Sequence, residues 1–184
     1  VDSGTRHVEC ADCHNSHQTN GTAGTTTTAS GAPVLPGSLK GVKGVTIAGV
    51  ATATATSEYE VCLRCHGDST GKKASTITRS VLASTAGENN VRKEFLTTNS
   101  SFHPVAGNNP NAKTTSLIAP LTGSSMITCS ACHSNNAGPD ANPAGTGPKG
   151  PHGSTISPLL ASTYVTADNT SESATNYALC YKCH

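Results

Sequence analysis

Apolar positions in this chain come in short stretches, and no window approaches the 18 or more consecutive apolar residues of a membrane-crossing helix. The one alternating stretch, "GVTIAGVATATAT" from Gly44 to Thr56, is weak and predicts a short strand or hairpin. Directly after it, Ser57-Glu58-Tyr59-Glu60 places a serine three residues ahead of a glutamate. That is the capping-box pattern, and it predicts a short helix running on through Cys62 to His66. A similar helical turn is expected over Tyr177 to Cys183. A further helix is expected within Val81 to Leu96, where Gly87 and Asn89-Asn90 interrupt the pattern. The Gly-, Pro- and Thr-rich segments Gly21 to Pro33 and Asn135 to Pro151 read as loops. The pattern therefore predicts a mostly irregular chain with a few short helices and minimal strand.

Composition makes that picture harder to stabilise. Of 184 residues, 34% are hydrophobic and 3% aromatic, with no Trp and a single Met. Serine and threonine account for 48 positions, about a quarter of the chain. Such a sequence cannot bury enough apolar surface to offset the entropy of ordering itself. Either it is largely disordered, or something other than side chains fills its core. Charge adds little: twelve Lys and Arg against eleven Asp and Glu give a formal +1. There is no basic stripe of the kind a nucleic-acid binder carries. No signal peptide stands at Val1, so an exported protein would be in its processed form.

The cysteines change the reading. All eight fall in four copies of one motif: Cys10-Ala11-Asp12-Cys13-His14, Cys62-Leu63-Arg64-Cys65-His66, Cys129-Ser130-Ala131-Cys132-His133 and Cys180-Tyr181-Lys182-Cys183-His184. Cys-x-x-Cys-His is the attachment motif of c-type haem. Two thiols form thioethers to the porphyrin vinyl groups, and the adjacent histidine reaches the iron from the same side. A zinc ribbon pairs Cys-x-x-Cys knuckles but needs no histidine after each. A disulfide framework would not place every cysteine three residues from a partner, and iron–sulfur ligation uses other spacings.

The histidines extend the argument. His14, His66, His133 and His184 lie in the motifs, and His7, His17, His103 and His152 lie outside them. Four haem irons have eight axial positions, and eight histidines fill them, which predicts four bis-histidine, low-spin haems. Met126, three residues before Cys129, is the single thioether in the chain and is expected to pack against a porphyrin face. Four porphyrins in one domain of residues 1–184 would themselves form the hydrophobic interior. His17 follows His14 by three residues and cannot easily cross to the far face of the same haem. It is expected to bind a neighbouring iron, in the same chain or in another subunit.

The motifs are not equivalent. "YEVCLRCH" and "YALCYKCH" share a tyrosine, an aliphatic residue before the first cysteine and a basic residue before the second. Cys10 and Cys62 are 52 positions apart, Cys129 and Cys180 are 51. A two-haem unit used twice accounts for this, covering 1–66 and 129–184 with an insert at 67–128.

Together "ECADCHNSH", "YEVCLRCHGDS", "SFHPV" at Ser101 to Val105, "ITCSACHS", "GPHGS" at Gly150 to Ser154 and "YALCYKCH" make the sequence resemble a known group. These are the extracellular multihaem c-type cytochromes that polymerise into conductive filaments, the cytochrome nanowires, and in haem number their tetrahaem members. The resemblance spans nearly the whole chain. It implies a continuous line of haems in alternating stacked and T-shaped pairs, within a helical homopolymer of identical subunits. It implies that His17 ligates a haem of the neighbouring subunit, with His7, His103 and His152 as distal ligands inside their own. It further implies electron supply from periplasmic or outer-membrane cytochromes, delivery to an extracellular acceptor, and no nucleic acid or membrane span. The alternatives are a monomeric periplasmic or cell-surface tetrahaem shuttle, and a multihaem reductase, which would need an open iron position. With all eight positions taken by histidine no enzyme activity is expected, and the potentials should lie below those of His/Met haems. Asn20-Gly21-Thr22, Asn99-Ser100-Ser101 and Asn169-Thr170-Ser171 fit the glycosylation pattern but are readily met by chance here.

Overall fold

A computed structural model of the chain describes residues 8–67, 90–109 and 115–184. Two compact units emerge, Val1–Thr25 with Val34–Phe102, and Thr26–Pro33 with His103–His184. The first contains motifs one and two, and the second contains motifs three and four. The stretch between motifs two and three is shared between them, changing unit after Phe102.

In the first unit Cys10–Cys13 forms a single turn of helix, α1, and Glu58–His66 forms α2. The α2 helix begins where the capping box predicts. The Glu60 carboxylate turns back to accept the Ser57 amide at 3.1 Å and the Thr56 amide at 2.6 Å. At its other end Gly67 donates to the Leu63 carbonyl at 2.8 Å. The alternating stretch is a hairpin in which β2, Gly44–Val45, pairs antiparallel with β3, Ala51–Thr52. The Thr46 amide donates to the Val50 carbonyl at 2.9 Å and extends the pair, and the three residues between them end on Gly49 at φ +85°, the left-handed position this loop length requires. The preceding β1, Thr27–Thr28, belongs to the second unit. Val42, Ala55 and Val61 make the small apolar core of the first unit, with Leu39 and Cys13 packed against it.

The Val81 to Leu96 helix differs from expectation where it can be followed. Residues 81–89 lie outside the described part, and Val91–Phe95 is a short 3-10 helix rather than an α-helix. It is tied to the hairpin, since Arg92 Nη1 donates to the Ile47 carbonyl at 2.9 Å.

In the second unit β1 pairs antiparallel with β4, Met126–Ile127, in the register Thr27↔Ile127. This corrects the loop reading of Gly21 to Pro33. Two threonines gain a partner far along the chain, which local composition cannot signal. Motif three sits on a 3-10 turn at Cys129–Ala131 and motif four on another at Cys180–Lys182, as the helical-turn expectation had it for the latter. Residues 135–151 run through turns as expected, but they are pinned. Ser134 is fully buried, and its hydroxyl both donates to the Gly150 carbonyl and accepts the Gly150 amide. Among the described residues no helix is long and apolar enough to cross a membrane.

Candidate functional site

Each unit brings its two motifs together. In the first, the Cys13 thiol is pushed up from its ordinary pKa by burial, then by the charges of Cys62, Cys65 and Asp12, while Arg64 pulls it down. In the second, burial raises Cys132, with Lys182 opposing and Cys183 and Cys180 adding to the rise. Cys183 is raised by burial as well, against Lys182. The second cysteine of each leading motif thus lies within electrostatic reach of both cysteines of the motif that follows it.

None of the eight cysteines is in a disulfide. A redox-active Cys-x-x-Cys lowers its thiol pKa to favour the thiolate, and Cys13, Cys132 and Cys183 go the other way. A zinc ribbon needs four thiolates drawn to one point. Among the described residues of either unit, no three His, Cys, Asp or Glu ligand atoms gather within 4.8 Å of one another. Within each unit the thiols come instead as pairs at Cys-x-x-Cys spacing, each followed by a histidine.

Three of those histidines, and His152 outside the motifs, are oriented by their own chain. His14 caps α1, and its Nδ1 lies 2.8 Å from the Ser38 carbonyl. His133 Nδ1 faces the Leu159 carbonyl at 3.3 Å, and His152 Nδ1 faces the Lys149 carbonyl at 2.7 Å. His184 Nδ1 makes a long contact of 3.5 Å with the Ser116 hydroxyl. A carbonyl can only accept, so the ring nitrogen facing it carries a proton, and in the neutral ring the lone pair then lies on Nε2. Metal-ligating histidines are oriented in this way, with the second nitrogen fixing tautomer and ring direction.

The carbonyl that meets His133 is held under constraint. Leu159 has φ +77°, a conformation costing a non-glycine residue roughly 1–2 kcal/mol. The segment around it is fixed by the Leu160 amide bonding to the Ile156 carbonyl at 2.9 Å and by the Ala161 amide bonding to the Cys132 carbonyl at 2.8 Å. The second of these ties the segment directly to motif three.

The remaining histidines differ. His66 ends α2 with an exposed ring. Burial, and then His184, lower the pKa of His103, so although part of the residue is exposed it favours the neutral, ligand-competent form. His17 sits on a surface turn closed by Asn15, whose side-chain oxygen accepts the His17 amide at 3.0 Å. Its ring is exposed and finds no partner among the described residues. His7 lies outside the described residues. Met126 is half-buried on β4, three positions from Cys129 as the sequence has it.

Sequence reasoning did not find Ser38, Lys149, Leu159 or Ser116. Three of them act through the main-chain carbonyl that every residue carries, so side-chain identity gives no signal. Comparison with protein families, with curated proteins and with solved structures finds no match.

The donor set fits c-type haem. Every motif offers two thiols outside any disulfide at attachment spacing, and at three of the four the histidine Nδ1 meets an oxygen of the same unit.

Proposed function

We propose that this chain is an electron-transfer protein holding four c-type haems, one at each Cys-x-x-Cys-His motif, and that it polymerises head to tail into an extracellular conductive filament. The thioether pairs are Cys10/Cys13, Cys62/Cys65, Cys129/Cys132 and Cys180/Cys183. His14, His66, His133 and His184 are the proximal ligands, and His7, His17, His103 and His152 are the distal ones. When bound, each haem supplies a one-electron ferric/ferrous couple. The chain's own part is to orient imidazoles, exclude water and set spacing, and no side chain acts as acid, base or nucleophile. Its electrons come from periplasmic or outer-membrane cytochromes and leave to an extracellular acceptor.

The observation that carries this reading is the Nδ1 anchoring of His14, His133 and His152 to main-chain carbonyls, with Nε2 left as the ligand atom. The polymer rests on His17. Its exposed ring, held out on a turn three residues past His14, suits a bond to iron in another subunit better than one inside its own. Growth by such a contact is heterologous and does not close.

The test is haem content by pyridine haemochrome and intact mass, visible spectra, and negative-stain microscopy of wild type beside His17→Ala. Four haems, low-spin spectra and long filaments are expected. In the variant, short particles with a high-spin fraction near one haem in four should replace them. Monodisperse particles in both preparations with the same spectral change would make the protein a monomeric shuttle. A high-spin haem in wild type would reopen the enzymatic reading.

A further inference from the structure

Arg64 and Lys182 occupy the same place in the trailing motif of each unit, just before its second cysteine. Each reaches the same place in the leading motif. Arg64 Nη1 donates to the carbonyl of Asp12, and Lys182 Nζ donates to the carbonyl of Ala131. Asp12 and Ala131 are themselves the residues just before the second cysteines of motifs one and three. The two contacts span 52 and 51 positions, the same separations as the motifs themselves.

The contact has a local cause. Cys10–Cys13 is a single helical turn and Cys129–Ala131 a single 3-10 turn, and the last carbonyls of such turns have no partner within them. A cation placed there also meets the negative end of the local dipole. Lys182, with three donors, takes the Asp140 carbonyl as well. The cation in each unit therefore ties one attachment segment to the other through the main chain, where no side chain of the partner segment is needed. Two unrelated surface hydrogen bonds would have no reason to fall on equivalent residues in both units.

We propose that Arg64 and Lys182 are positioning residues that hold the two attachment segments of their unit side by side and so fix the spacing of the two porphyrins each unit carries. This rests on the haem reading above. Electron exchange between neighbouring carriers falls steeply with separation, so a strap between attachment segments acts on the rate without touching iron. Neither residue is an attachment or ligand group.

The test uses the mature protein with Arg64→Met and Lys182→Met, singly and together. Both keep the aliphatic stem and remove the donor. Arg64→Lys and Lys182→Arg serve as conservative partners. The readouts are haem count and the exciton couplet that two nearby porphyrins produce in Soret circular dichroism. All variants are expected to carry four haems. Each Met variant should lose the part of the couplet contributed by its own unit, the double variant should lose both, and the conservative pair should restore it. Four haems with an unchanged couplet in the double variant overturns the positioning role and leaves the haem reading standing. Fewer than four haems in wild type overturns the haem reading and the strap with it. Should the Met variants fail to mature, Arg64→Gln and Lys182→Gln keep a neutral donor of shorter reach. A weakened couplet in those supports the strap, and an unaltered one sinks it.

Discussion

Removing the carboxylate of Glu60 is the most direct perturbation of how motif two is held. Glu60 is 6% exposed, and one of its oxygens accepts the Thr56 amide at 2.6 Å, the Ser57 amide at 3.1 Å and the Thr56 hydroxyl at 3.2 Å. Net values for hydrogen bonds to charged groups run about 1.5–3 kcal/mol each. The three share a single oxygen, so they do not add. Thr56 is exposed and Ser57 half-buried, so water regains part of the loss. Cap deletions elsewhere cluster near ~1 kcal/mol and reach ~2. The burial of Glu60 puts Glu60→Ala at the upper end, about 2 kcal/mol, which shifts the folded-to-unfolded ratio roughly thirty-fold. Glu60→Gln keeps an amide oxygen in place and should cost about 1 kcal/mol, since Gln also closes a capping box. The assay is guanidinium unfolding, read as a lower midpoint at unchanged slope, with hydrogen exchange at the Thr56 and Ser57 amides. A loss below about 0.5 kcal/mol for Glu60→Ala, the range of an ordinary surface change, would refute the reasoning. So would equal losses for Ala and Gln.

Two further outcomes follow from the same structure. Ser134→Ala removes the fully buried hydroxyl that accepts the Gly150 amide, while the Gly150 carbonyl keeps the Asn135 and His152 amides at 2.9 Å each. It should cost about 1–3 kcal/mol in thermal unfolding, and a change within experimental error would mean the loop is held by other bonds. Tyr59 should titrate above the ordinary tyrosine range because burial, and then the Glu60 charge, oppose the phenolate, with a backbone bond at Ile47 working against them. Its contribution to stability is therefore full below an unfolded pKa of ~10 and is lost as pH rises through the folded value. Ring-carbon NMR of labelled tyrosine, assigned with Tyr59→Phe, checks this; an ordinary or lowered pKa contradicts it.

The parts of the fold that were legible in the sequence are those specified within a few residues. Ser57 and Glu60 announce α2 because a capping box is a local exchange of hydrogen bonds. Gly44 to Thr56 announces its hairpin through alternation, with Gly49 free to adopt φ +85° at the turn. Thr27–Thr28 could not be read this way, since their register partners are Ile127 and Met126. The composition of residues 135–151 says loop. What orders that loop is Asn135, whose side chain accepts the Ala137 amide at 2.8 Å and donates to the Gly153 carbonyl at 2.7 Å. Such Asx-type bonds are a known habit of asparagine, but which carbonyl it finds is a property of the folded loop. The site divides in the same way. Thiol pairs and motif histidines are written in the spacing, and the basic residues at 64 and 182 stand out as a shared feature. Their carbonyl targets on Asp12 and Ala131 do not.

Where the chain spends its scarce apolar residues connects these observations. Val61 and Leu63 flank Cys62, Ile127 precedes Cys129 by two, Ala131 lies between Cys129 and Cys132, and Ala178 precedes Cys180 by two; all five are buried. Cys13 packs on the core of Val42, Ala55 and Val61. The side chains that hold each attachment segment against its unit are thus nearest neighbours of the cysteines themselves. Elsewhere buried residues such as Phe102, Val105 and Leu160 are joined by Ser, Thr and Asn bonding to main chain, as Asn142 does in donating to the Ala178 carbonyl at 3.1 Å just ahead of motif four. In a protein built so, site geometry and stability cannot be tuned independently. A substitution that loosens Val61 also frees the helix that presents Cys62, Cys65 and His66, and one at Ser116 removes the hydroxyl that His184 Nδ1 meets. Such coupling suits the role proposed for the chain, which is to keep attachment points at fixed distances.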